Sequence, residues 1–449
     1  MEPAAADADH AGRRARLQAQ INEGHGAVGL RKDTSNLFRD RAEGAKRRLD
    51  VRGFRHVLAV DPRQGWVEAE GMTPYEDLVA ACLSHGVMPC VVPQLKTITL
   101  GGAAAGVGIE ASSFRYGLAH ETVLEMDILT GRGEVIACAA DNPHRELFFG
   151  FPNSYGTLGY ALRLKVRAVP VKPFVELRHV RFDDRAAFFA ALGEACAGDA
   201  DFVDGVVFGP REFVLNVCRF VERAPWTSDY TFERIYYRSI RELELDYLST
   251  ADFLWRWDTD WFWCSKNLGA QNPLVRRLLG RARLNSRFYT RMMRWNSRVG
   301  LTRLLDRVAG RHPEPVIQDV DIPVARAAAF LDFLLREIGI LPVWICPFRA
   351  LDPAVRFPLY PCAPGTLYVN FGFWDTVRPR EVHPPGHFNR LVEARVAECG
   401  GIKSLYSDSY YEEDAFWRIY DREAYRSLKA RYDPEGVLGD LYRKCVLRE

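Results

Sequence analysis

The sequence is poor in the features that mark several common classes of protein. None of its ten cysteines forms a Cys-x-x-Cys pair, which excludes zinc ribbons, zinc fingers and thioredoxin-type redox centres and leads to the expectation of reduced thiols and no bound metal. No uninterrupted apolar run approaches the ~18 residues that a membrane-crossing helix needs. The first residues lack the pattern of a secretory leader, and a cytoplasmic protein is expected. With 60 basic and 58 acidic residues the net charge is only +2. The spacings of a P-loop and of a Rossmann fingerprint are both missing. A hydrophobic content of 48% with 26% charged residues excludes disorder, and 449 residues exceed one core, so two domains are expected.

What is present centres on Val92 to Gly117. Gly101 to Glu110 holds four glycines and three alanines, a composition that lets backbone approach a phosphate or a flat ring and aim amides at it. Close packing would use the same residues. The charge is also segregated. Between Leu274 and Arg311 stand eleven arginines against one acid, Asp306, a net of +10 that leaves about −8 for the remainder, so one basic face sits on a mildly acidic protein. Leu274, Val275, Leu278 and Leu279, then Phe288, Met292, Trp295 and Val299, recur at helical spacing there. Four tryptophans crowd Trp255 to Trp263, as cap core or as the mouth of an acyl tunnel.

In chain order, residues 1–27 read as a flexible N-terminal arm without core periodicity. Lys32 to Phe38 is a polar turn, short strands follow at Val57 to Val60 and Trp66 to Ala69, and Pro74 opens a helix. A hairpin spans Val123 to Cys138, and an alternating strand spans Tyr160 to Val169. Pro170 and Pro173 then break the chain, which puts a domain boundary near residue 175. From 176 strands and helices alternate as in an αβ unit, and a last segment runs from 399 to 449.

Several separated motifs carry a resemblance. Val92-Pro93-Gln94-Leu95-Lys96-Thr97-Ile98-Thr99-Leu100-Gly101-Gly102, Gly108 to Ser113 and Arg115-Tyr116-Gly117 resemble the FAD-binding signature of the vanillyl-alcohol oxidase and p-cresol methylhydroxylase (PCMH) superfamily. Gly156 to Gly159, Phe202 to Gly205, Trp344 to Phe348 and Leu405 to Tyr410 extend the likeness to its delta-24 sterol reductase branch. Within that branch, Asp33 to Arg39 and Val91 to Gly102 are most similar to the bacterial reductases that make 10-methyl branched fatty acids. The resemblance implies an α+β, two-domain PCMH-type FAD-binding fold with an αβ cap. It gives an FAD domain at 28–175, a cap at 176–398 that includes the basic helices at 273–311, and a C-terminal segment at 399–449 that returns to the FAD domain. It implies FAD contacts from Thr34, Ser35, Asn36, Pro93, Thr97, Thr99, Gly101, Gly102, Gly106, Gly108, Ile109, Ser112, Ser113, Tyr116, Gly156, Thr157 and Gly159. No histidine stands where some members tether the flavin, so the FAD is expected to be non-covalent. NADPH is the implied electron source.

The activity implied is reduction of a 10-methylene acyl chain. A sterol side-chain double bond, oxidation of another small substrate, and a non-catalytic lipid- or nucleic-acid-binding role are the alternatives. An isolated alkene offers no carbonyl to polarise, so hydride delivery requires a proton at the other carbon. Tyr406, Asp408 and Tyr410 share one face of an extended segment and are the candidate acids; core tyrosines and a helix-capping Asp408 are the plainer reading. Glu110, otherwise a partner for Arg115, and His383 are further candidates, and Cys346 reads as a small buried hydrophobe. Arg276, Arg277, Arg281 and Arg283 are expected to meet an anionic membrane surface at the inner face, a methyltransferase would supply the methylene lipid, and no nucleic-acid partner is expected.

Overall fold

A computed structural model describes residues 3–34, 38, 46–232, 234–299 and 309–449. The chain opens on helix Pro3–Asn22, where the sequence reads as a flexible arm. His10, Arg13, Leu17 and Ile21 are all buried, at the three- and four-residue intervals of one helix face. Half of that face is polar. Arg13 Nη2 donates to Glu70 Oε1 at 2.6 Å and His10 Nδ1 lies 2.7 Å from the same oxygen, so a buried carboxylate holds the helix where apolar periodicity gave no sign of docking.

Among the described residues the strands form three sheets. β1 (Val28–Arg31) and β2 (Arg47–Asp50) pair in parallel. The second sheet contains β3 (Val57–Asp61), β4 (Trp66–Glu70), β5 (Val87–Pro89), β6 (Val123–Leu129), β7 (Val135–Ala139) and β8 (Tyr160–Pro170), in the order β3-β4-β8-β6-β7 with β5 also on β8. β8 shows why it is central: Tyr160, Leu162, Leu164, Val166 and Ala168 alternate inward, and outward-facing Arg163 reaches Glu68 at 2.8 Å and Asp127 at 2.8 Å on the flanking strands.

After Pro173 the chain builds the third sheet. It comprises β9 (Phe174–Phe182), β10 (Phe202–Gly209), β11 (Glu212–Val221), β12 (Leu245–Ser249), β13 (Glu314–Pro323), β14 (Val343–Arg349), β15 (Leu367–Val377) and β16 (Ile402–Lys403), in the order β12-β9-β11-β10-β14-β15-β13-β16. Its two faces are sorted by the period-two alternation. Val203, Val207, Val316, Val320, Ile345, Val369 and Phe371 pack under helices Arg185–Ala197, Val324–Phe333 and His387–Glu398. The alternate residues, among them Trp344, Asp319, Asp321, Asn370 and Trp374, face the other way and line a large cavity.

The C-terminal helices Glu413–Ile419 and Arg422–Tyr432 cross back to the first half of the chain. Lys429 Nζ donates to the Thr157 carbonyl at 2.8 Å, and the Val28 amide donates to the Val437 carbonyl at 3.0 Å. The basic segment gives helices Pro273–Leu279 and Ser286–Val299; residues 300–308 lie outside the described ones. Arg276 corrects the expectation of a membrane-facing cation: it is buried, with Nη1 2.5 Å from Asp260 Oδ1 and Nε donating to the Phe232 carbonyl at 2.7 Å. Leu274 and Leu278, on the apolar stripe of the same helix, are 76% and 82% exposed.

Candidate active site

A cavity of about 1360 Å³ lies between the second and third sheets. Pockets for one drug-sized ligand run ~300–1,000 Å³, so this one has room for a dinucleotide and a second molecule. One wall is the small-residue stretch. Thr99 Oγ1 accepts from the Gly102 amide at 3.2 Å and caps helix Leu100–Ala105. The Gly101 amide donates to the Gly71 carbonyl at 2.8 Å, and a Cβ at Gly101 would sit 2.8 Å from that oxygen. Only glycine permits the approach. Val107, Tyr155, Trp261 and Phe262 have φ of +51°, +48°, +45° and +58°, and all four line the cavity. Left-handed backbone at bulky residues is costly and tends to gather at binding sites.

Of the residues expected to hold FAD, Thr34, Pro93, Thr99, Gly101, Gly102, Gly106, Gly108, Ile109, Gly156 and Gly159 line the cavity. Thr97 and Tyr116 are not in its wall. Ser112, Ser113 and Thr157 are also placed elsewhere: Ser112 Oγ donates to the Cys90 carbonyl at 2.7 Å, Ser113 Oγ accepts from the Glu110 amide at 3.1 Å, and Thr157 Oγ1 donates to the Ser154 carbonyl at 2.8 Å. Ser113 and Thr157 satisfy their own loops' backbone, and Ser112 that of the segment before the glycine loop. Ser35 and Asn36 lie outside the described residues. The tryptophan segment is divided: Trp257 and Trp263 are enclosed in core, while Trp261 and Phe262 reach the cavity.

Tyr406, Asp408 and Tyr410 all face the cavity. Two of them are tied to one cation: Arg448 Nη2 donates to the Tyr410 hydroxyl at 2.8 Å, and its Nε lies 3.5 Å from Asp408. Tyr406 is held differently. Trp374 Nε1 donates to its hydroxyl at 2.8 Å, and the phenol lies within reach of the Asp319 carboxyl. His383 stacks on His387 at 4.3 Å outside this cavity.

The sequence reading missed Asp319 and Asp321. Their signal was the alternation of Gln318-Asp319-Val320-Asp321 within a strand, which turns both acids to the same face. Burial pushes Asp319 up to about 7, against the hydrogen bond from Tyr406, and pushes Asp321 up to about 6. Asp321 is satisfied on both oxygens, by Asn370 Nδ2 at 2.7 Å and by the Tyr360 hydroxyl. Glu110 is likewise raised to about 7 by burial, with Arg256 pulling the other way. Its partner is Arg256, at 3.2 Å, while Arg115 pairs with Asp201.

These residues fit FAD. Glu110 Oε2 and the Gln94 amide beside it are buried in the cavity wall without a hydrogen bond of good geometry, polar edges of the kind a flavin's pyrimidine ring satisfies. Lys32, Lys46 and Arg48 bring positive charge to the same cavity, and the glycine loop offers close backbone for a pyrophosphate.

Comparison with known proteins agrees with that geometry. A family model described as an FAD binding domain matches residues 24–139. The chain is 23% identical over 439 residues to the Delta(24)-sterol reductase of Arabidopsis thaliana, covering 88% of this chain and 76% of that protein. It is 24% identical over 412 residues to the Homo sapiens Delta(24)-sterol reductase, covering 86% and 75%. A shorter match, 31% over 147 residues, joins it to cytokinin dehydrogenase 7 of Oryza sativa subsp. japonica, covering 32% of this chain and 28% of that protein. Fold and site thus define an α+β FAD-binding protein of the PCMH type. Over most of its length the chain is similar to Delta(24)-sterol reductases, a likeness consistent with the vanillyl-alcohol oxidase superfamily.

Proposed function

We propose that the protein is an FAD-dependent reductase of an unactivated carbon–carbon double bond in a lipid, with a 10-methylene acyl chain as substrate and NADPH as electron source. The observation that carries the reading is one cavity with three kinds of wall: the glycine loop, the aromatic face of Trp261, Phe262, Trp344 and Trp374, and the buried carboxyls of β13. The loop from Gly101 to Gly108 would hold FAD non-covalently, with Gln94 and Glu110 at its polar edge. Bound FAD supplies the hydride chemistry. The aromatic side chains exclude water and lay an apolar chain or ring system along the site. A sterol side-chain double bond is the second reading, supported by the names and coverage of the relatives.

A lipid substrate is supported by the surface as well. Leu274 and Leu278 project side by side from their helix, with Arg277 and Arg283 exposed nearby, a pattern suited to an anionic lipid surface. The test is direct: the purified protein shows flavin absorbance, NADPH bleaches it without oxygen, and a methylene acyl lipid restores it with formation of the methyl product. Restoration by a sterol side-chain alkene alone selects the second reading; absence of flavin ends both.

A further inference from the structure

We propose that Asp319 is the general acid of this site, with Tyr406 as its positioning residue. This rests on the reductase reading. The carboxyl gives its proton to the alkene carbon that does not receive hydride. The electron pair of that hydride, from reduced flavin, forms one new C–H bond, and the π pair takes the Asp319 proton to form the other. Asp319 is left as a carboxylate that accepts the Tyr406 O–H bond until water returns the proton.

Geometry separates Asp319 from the other carboxyls of the wall. Asp321 is bound on both oxygens, Asp408 lies against Arg448, and Glu110 against Arg256. Each is held in place by donors or a cation. Asp319 has no cation against it among the described residues, and its Oδ1, like Glu110 Oε2, is buried there and meets no hydrogen-bond partner. It packs on backbone, where a Cβ at Gly372 would come within 2.7 Å of it. A buried carboxylate with one oxygen so placed is poorly stabilised, whereas a carboxylic acid there is not. The Trp374 indole occupies the acceptor side of the Tyr406 hydroxyl, which leaves the phenol proton for Asp319. Ile317 on the same strand face makes the surroundings apolar, as proton transfer to an alkene requires.

The groups that face Asp319 are Asp321 from its own strand, Tyr406 from the C-terminal segment and Trp374 from β15; Tyr155 acts on Tyr406, and Tyr360 on Asp321. Loss of the phenol removes a bond that favours the carboxylate, so Tyr406→Phe moves Asp319 upward and carries the alkaline limb of turnover with it.

The test combines infrared titration of the FAD-loaded protein with single-turnover reduction of a methylene acyl lipid. A protonated-carboxyl band is expected to titrate near pH 7, to vanish in Asp319→Asn, to persist in Asp321→Asn, and to titrate at higher pH in Tyr406→Phe. Lipid turnover in Asp319→Asn falls ~10²–10⁴-fold with flavin content and flavin reduction unchanged, and Asp319→Glu recovers part of it. If Asp319→Asn keeps the band, or keeps the wild-type rate and pH profile, the assignment is overturned while the reductase reading stands. If the wild-type protein reduces neither the acyl lipid nor a sterol alkene, the reductase reading fails and the acid role falls with it.

Discussion

Glu110 and Arg256 form an ion pair 3.2 Å apart with both side chains enclosed, one from the glycine-rich loop and the other from the tryptophan segment. The same guanidinium nitrogen is 2.9 Å from Asp204, so one cation serves two buried acids and the seam between the two halves of the molecule. Arg256→Ala leaves both acids without a counter-charge, a change that costs about 3–5 kcal/mol. Denaturant unfolding should show that loss, and Arg256→Lys should recover only part of it, because a point ammonium cannot reproduce the guanidinium fork.

Gly101→Ala should abolish flavin retention in a protein that still folds. The added methyl meets the Gly71 carbonyl at 2.8 Å, and backbone cannot swing aside as a side chain can. The flavin-to-protein absorbance ratio after gel filtration, read beside an unchanged far-ultraviolet circular dichroism spectrum, checks it.

His120 should dominate part of the acid sensitivity. Burial holds it down to about 3 from an ordinary 6.5, its Nδ1 has no hydrogen-bond partner among the described residues, and Phe357 packs edge-on at 4.4 Å. The unfolded chain therefore takes up this proton first as pH falls. Above 6.5 His120 contributes no pH dependence; between about 6.5 and 3 it removes about 1.4 kcal/mol of stability per pH unit. His120→Leu should flatten that slope in unfolding titrations.

The basic helices should divide into two functions under mutation. Arg276→Ala breaks a buried pair with Asp260 and should lower the melting temperature. Leu274→Ser with Leu278→Ser should leave melting unchanged and weaken binding to anionic vesicles, as should Arg277→Gln with Arg283→Gln, the latter also reducing salt sensitivity. Equal vesicle binding by both double variants and the parent would remove the lipid-surface role.

The glycine loop and the tail were legible as cavity wall because their signals are local, the small residues of Gly101 to Gly108 with the motifs around them and the alternation of Tyr406, Asp408 and Tyr410. The sequence misled where a side chain's role depends on distant partners. Ser112, Ser113 and Thr157 stand near the loops yet bond nearby backbone. Arg276 looks like a surface cation until Asp260, sixteen residues before it, takes it inward. Asp319 and Asp321 sit in a strand whose two faces both read as plausible interior, and only β15 and the helix packed beneath decide which face meets the cavity. His10 and Arg13 hide a docked helix, since Glu70 replaces the apolar contacts that periodicity looks for.

The hydrogen bond from the Val28 amide to the Val437 carbonyl sets an order of manufacture. Val28 and Leu438 both stand in the cavity wall, so a nascent chain emerging N-terminus first has no finished pocket until Leu438 has left the ribosome. Cofactor loading can then follow only the emergence of Leu438, and the yield of active protein should track the flavin supply after that point, not the rate of translation.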